Sequence, residues 1–171
     1  MSNDVLLQSL HSHLASWGLR QFTSDEAYFR WQRDTLSPAE LTTLHRQIEQ
    51  KRGGSSTHEV AFYDATAHPN ILPVLHSQRY DYYLAIGSRV ADRIGESQSI
   101  LDVGCGVGIL TTFYARQYPD KAFVGIDRSP ISIARATWLS GSLATRMRRP
   151  WARASVSLKP TRPSCGSMKT V

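Results

Sequence analysis

The 171-residue chain is the length of one domain, and its two cysteines, Cys105 and Cys165, are too few and badly placed for a disulfide framework or a zinc site. No apolar run approaches the roughly 20 residues that span a bilayer. The opening MSNDVLLQSL carries an acid where a secretory signal carries basic residues, so a cytoplasmic chain with no membrane partner is expected. The net charge of +6 hides a division: residues 1–127 hold 11 Lys and Arg against all 14 acids, whereas residues 128–171 hold 9 Lys and Arg and no acid.

Taken in order, Leu6, Leu10, Leu14 and Trp17 recur at helical spacing and predict an amphipathic helix over residues 4–17, stopped by Gly18. His11 and His13, two apart on that helix, face different ways, cannot share one metal ion, and read as solvated polar positions. A second helix is expected over Asp25–Arg33, with Thr23 or Ser24 as its N-cap. The clearest helix start is Ser37-Pro38-Ala39-Glu40. Ser at the N-cap, Pro at the first helical position and Glu at the third form a capping box, and Leu41, Leu44 and Ile48 then supply the buried face. Gly53-Gly54-Ser55-Ser56 ends it in a loop.

Residues 59–67 read as a short helix, closed by His68-Pro69 and by a turn through Pro69-Asn70-Ile71-Leu72-Pro73. From Arg79 to Ile94 another helical pattern sets Tyr83, Ile86, Val90 and Ile94 on one side. Its opening, Arg79-Tyr80-Asp81-Tyr82-Tyr83, is dense in polar-tipped aromatics. These read either as pocket lining or, more commonly, as ordinary packing of the helix. Residues 1–95 are thus a helical lead-in in which the sequence shows no chemistry.

Chemistry enters with residues 99–127, SILDVGCGVGILTTFYARQYPDKAFVGID. An apolar run, Ile100 to Val103, meets glycines at the alternate positions 104, 106 and 108. A helical pattern follows, and then a second apolar run, Ala122–Ile126, ends on Asp127. Strand, glycine turn, helix and strand make the opening unit of a parallel nucleotide-type sheet. Gly104 and Gly106 suit the unusual dihedrals and close ligand approach of such a turn, and Gly108 is expected where the following helix packs closely on the strand. The dinucleotide fingerprint G-x-G-x-x-G would need glycine at position 109, which is Ile109. Instead Asp102 precedes the first glycine by two residues, which disfavours an anionic dinucleotide and favours a ligand carrying an ammonium and a sulfonium. Asp127, about twenty residues past the turn at a strand end, is well placed for a ribose diol. Cys105 lacks any arranged His or acid partner, so it reads as a small residue beside the ligand rather than a nucleophile.

Over residues 99–136 the chain resembles the class I S-adenosylmethionine-dependent methyltransferases: ILDVGCGVG is similar to the first motif of that family and VGIDRSPISIARA to the second. The resemblance implies a Rossmann-like α/β fold and S-adenosylmethionine as cofactor. It implies that Asp102, Gly104, Cys105 and Gly106 contact the methionine and ribose portion, with Gly108 also among the cofactor-binding residues. Asp127 would accept from the ribose hydroxyls, and Arg128 would lie against the adenine by its backbone or stem. Ser129-Pro130 caps the next helix, Ile131 to Ala136.

From about Thr137 the pattern changes. The remainder has no acid and no strand-length alternation, and Pro150, Pro160 and Pro163 interrupt any helix. The expectation is therefore an incomplete class I methyltransferase sheet behind a helical lead-in: lead-in 1–95, start of the cofactor-binding domain 96–136, and a basic tail 137–171 that is disordered or out of frame after a change of reading frame near residue 137. Two alternatives stand beside it. One is a nucleotide-binding oxidoreductase-like fragment. The other is a non-catalytic nucleic-acid binder using Arg146, Arg148, Arg149, Arg153 and Trp151 of the tail, although a charge cluster of this size is often simply solvated. The sequence identifies no methyl acceptor, no catalytic base and no oligomeric state.

Overall fold

The lead-in helices begin where the sequence supplies their caps. In the computed structural model, which describes residues 3–54 and 56–136, α1 (Asn3–Ser16) buries Leu6, Leu10 and Leu14 and stops before Gly18 at φ 79°. The Ser24 hydroxyl accepts from the Ala27 N–H at 3.2 Å to start α2 (Asp25–Thr35). At the start of α3 (Pro38–Arg52) both halves of the capping box form: the Glu40 N–H donates to Ser37 Oγ at 3.3 Å, and the Ser37 N–H donates to Glu40 Oε2 at 2.8 Å. The chain continues through α4 (Ser56–Thr66), α5 (Ile71–Ser77), α6 (Tyr80–Ile94), β1 (Ser99–Val103), α7 (Ile109–Gln117) and β2 (Ala122–Ile126). Residues 130–136 are again helical.

Helix α5 replaces the turn expected through Pro73. Pro73 stands at the third helical position, where an N–H would have no intrahelical acceptor, so its missing donor costs the helix nothing. In α6 the buried face is Tyr80, Tyr83, Gly87, Ala91 and Ile94, rotated from the stripe read in the sequence, while Ile86 and Val90 are only half-buried. The rotation has a cause. Helix α1 crosses α6 at Gly87, where a Cβ would collide with Leu10, which is itself fully buried. Tyr80 and Tyr83 are therefore packing residues, while Tyr82 is exposed. Helix α7 is moored to α6 by its tyrosines: the Tyr114 and Tyr118 hydroxyls donate to the Gly87 and Ala91 carbonyls, each at 3.1 Å. A second cluster, Tyr28, Leu36, Leu44, Ile71 and Val74, joins α2, α3 and α5.

The histidines of α1 are not the solvated positions the sequence suggests. His13 is 4% exposed; its Nε2 lies 2.7 Å from the Ile109 carbonyl and its Nδ1 3.0 Å from an Arg116 guanidinium nitrogen. Since Arg116 can only donate, Nδ1 must accept and Nε2–H must donate, which fixes His13 as a neutral tautomer. Desolvation accordingly holds its pKa down at about 4, opposed by the Ile109 bond and assisted by the Arg116 charge. His11 pairs with the Tyr80 hydroxyl at 3.0 Å. Both histidines thus tie α1 to the rest of the domain.

Strands β1 and β2 pair in parallel, with Ile100 opposite Phe123 and Asp102 opposite Gly125. That face is covered, with Phe123 and Ile100 joining the core formed by α1, α6 and α7. The opposite face carries Leu101, Val103 and Ile126, which are 60, 72 and 41% exposed, so among the described residues nothing covers it. No helix of the described residues is long and apolar enough to cross a membrane. The basic tail and the arginines singled out in it lie outside the described residues.

Candidate functional site

The site grows from the turn at the end of β1. Gly104 and Gly106 take φ of +80° and +56°, a region that L side chains enter only with strain. The Gly104 and Cys105 N–H groups both donate to the Ile126 carbonyl, at 2.8 and 3.1 Å, so the turn is pinned to the end of β2. A Cβ built on Gly104 or Gly106 would meet nothing within 4 Å: these two residues expose bare backbone to open space. Gly108 differs, because its Cβ would lie 3.2 Å from Ala136. The close approach at Gly108 is thus made to the helical segment 130–136 and not, as the sequence suggests, between α7 and the strand.

Two carboxylates flank the open backbone. Asp127 receives the Gly106 N–H on Oδ2 and the Ser129 N–H on Oδ1, each at 2.8 Å. Asp102 receives the Thr111 hydroxyl of α7 on Oδ2, and its Oδ1 takes no hydrogen bond among the described residues. Cys105 sits between them. Its sulfur occupies the space beside Gly125, where a Cβ would come within 2.8 Å. Burial, then the charges of Asp102 and Asp127, push the Cys105 thiol up to about 12, so it stays protonated and is no nucleophile at neutral pH.

Arg128 is exposed, and its guanidinium reaches Glu59 of α4 at 3.2 Å. Ser129 is fully buried: its hydroxyl accepts from the Ser132 N–H at 3.0 Å, capping the helical segment, and donates to Asp64 Oδ1 of α4 at 2.6 Å. Asp102, Gly104, Cys105, Gly106 and Asp127 therefore converge on one patch, whereas Gly108 is turned toward Ala136 and Arg128 toward Glu59. Thr111, Asp64 and Glu59 are not among the residues to which the sequence points. Thr111 has a local signal, a hydroxyl in the first turn of the helix after the glycines. The two α4 acids carried no local signal, because their partners lie more than sixty residues away in the chain.

The patch presents bare backbone between two acids, and the first N–H groups of α7 begin without a side-chain cap. It can accept from a ligand's ammonium or hydroxyl groups and stabilise a nearby cation, and it offers an anion only the helix start. A family model described as a methyltransferase domain matches residues 75–162, half of the chain, running from α5 through the turn and β2 and on past Ala136. No curated protein and no solved structure matches the chain.

Proposed function

The chain belongs to the methyltransferase domain family, and on that premise we propose that it is a class I S-adenosylmethionine-dependent scaffold in which β1 and β2 begin a Rossmann-like sheet. One observation carries this reading: the open ground before Gly104 and Gly106 is flanked by the carboxylates of Asp102 and Asp127. A ligand with an ammonium, a sulfonium and a ribose diol fits such ground. An acid at the place of Asp127 would suit the ribose of a dinucleotide equally, but Asp102 would stand against its phosphates, and Ile109, where its fingerprint needs glycine, is buried in the core.

The roles of the residues follow from their partners. Asp127, fixed by two backbone donors, keeps lone pairs on both oxygens for the ribose hydroxyls. Thr111 orients Asp102 so that Oδ1 is left for the ammonium. Gly104 and Gly106 let the ligand lie directly on the backbone, and the uncapped start of α7 suits a carboxylate. Cys105 fills the floor as a neutral thiol. Bound S-adenosylmethionine would supply an electrophilic methyl group, and the protein's contribution to transfer onto an acceptor is chiefly position in a water-poor site.

Calorimetric titration of the full chain with S-adenosylhomocysteine and with NAD+ tests this. Saturable binding of the first and none of the second is expected. The reverse preference would sink the proposal in favour of an oxidoreductase.

A further inference from the structure

Helix α4 lies outside the residues matched by the family model, in the lead-in where the sequence shows no chemistry, yet it reaches the site twice, through Glu59 to Arg128 and through Asp64 to Ser129. The second contact belongs to an unbroken chain of hydrogen bonds. The Ser129 hydroxyl donates to Asp64, the Ser129 N–H donates to Asp127 Oδ1, and the Gly106 N–H donates to Asp127 Oδ2. Ser129 is fully buried, so its hydroxyl has no water to turn to, and Asp64 is the acceptor that fixes its direction.

We propose that Asp64 is a positioning residue for the cofactor site: by holding Ser129 it sets the carboxylate plane of Asp127, and with it the acid's aim at a ribose diol. The inference rests on the functional reading for its ligand but not for its geometry. Asp64 is linked to Asp127 through Ser129 alone, whose hydroxyl and N–H bond the two carboxylates in turn. The exposed Glu59–Arg128 pair adds little, since ion pairs in water are weak. It gives α4 a second contact with the residues that follow Asp127.

Two measurements test this on the full chain. The first needs no ligand: amide hydrogen exchange of Gly106 and Ser129. Asp64→Ala should speed exchange at both, while Gly104, bonded to Ile126, keeps its rate, and Asp64→Asn, which retains an acceptor for the hydroxyl, restores protection. Unchanged exchange at Gly106 and Ser129 in Asp64→Ala would overturn the proposal, as would equal acceleration across α2 and α3, which would mean general loosening. The second measurement compares S-adenosylhomocysteine with its 2′,3′-dideoxyribose analogue. Asp64→Ala should weaken the first about tenfold and leave the second unchanged, whereas equal loss for both would show a merely structural role. Failure of the wild-type chain to bind either ligand would end the cofactor reading, while the exchange result would still decide whether Asp64 positions Asp127.

Discussion

Asp127 accepts the Gly106 N–H at 2.8 Å, so the acid at the end of β2 and the turn leaving β1 form one rigid unit. Its other oxygen is held by the Ser129 N–H, so both oxygens face donors. Asp127→Asn would turn an NH2 group against one of those N–H groups. We expect it to cost about 1–3 kcal/mol of stability and to abolish S-adenosylhomocysteine binding, as read by urea unfolding and by titration. Unimpaired binding would remove Asp127 from the site.

Gly104→Ala separates backbone strain from ligand access. At φ +80° the added methyl strains the turn by about 1–2 kcal/mol, yet it touches no protein atom within 4 Å. Stability should fall modestly while cofactor affinity falls much further, because the methyl occupies ligand space. Proportional small losses in both would mean that no ligand lies over Gly104.

Gly87→Ala probes the crossing of α1 over α6. The new Cβ meets Leu10, which has no room to move, so a loss of about 1–3 kcal/mol is expected. Adding Leu10→Ala should then cost less than the two single losses together. Strict additivity in unfolding experiments would contradict the crossing.

The neutral histidines predict acid sensitivity. His13, facing Arg116, and His76, facing Arg79 and the Tyr83 hydroxyl, both have folded pKa values of about 4, chiefly through desolvation, against an ordinary 6.5. Between those values the unfolded chain binds more protons, so the stability present above pH 6.5 is lost as pH falls toward 4. The loss is on the order of 3 kcal/mol for each histidine. Urea midpoints measured from pH 7 to pH 4 should show this decline, and His13→Gln should flatten it. A flat wild-type profile would mean that the rings are solvated.

What the sequence made legible was local. The two strands, the glycine turn, the Ser37 capping box and the Ser129 cap depend on neighbours a few residues away, and each stands where its residues predict. What the sequence left hidden is long-range or positional. His13 looked solvated because its partners, Ile109 and Arg116, lie about a hundred residues on. The α6 face differs from the hydrophobic stripe because the contact that orients it falls on Gly87, which carries no hydrophobic signal. Helix α5 was hidden by Pro73, whose tolerance depends on which helical position it occupies. At the site, the residues of the turn could be read from their spacing, but Asp64 could not, since nothing in α4 itself marks an acid that reaches Ser129.

On the proposed function, S-adenosylmethionine sits on the backbone of the β1 turn between Asp102 and Asp127. The most direct measurement is the change in amide nitrogen and proton shifts of the 15N-labelled chain on adding S-adenosylmethionine. Shifts are expected at Gly104, Cys105, Gly106, Asp127 and Arg128, with α2 and α3 unmoved. Saturating shifts centred elsewhere, or none at millimolar ligand, would contradict it.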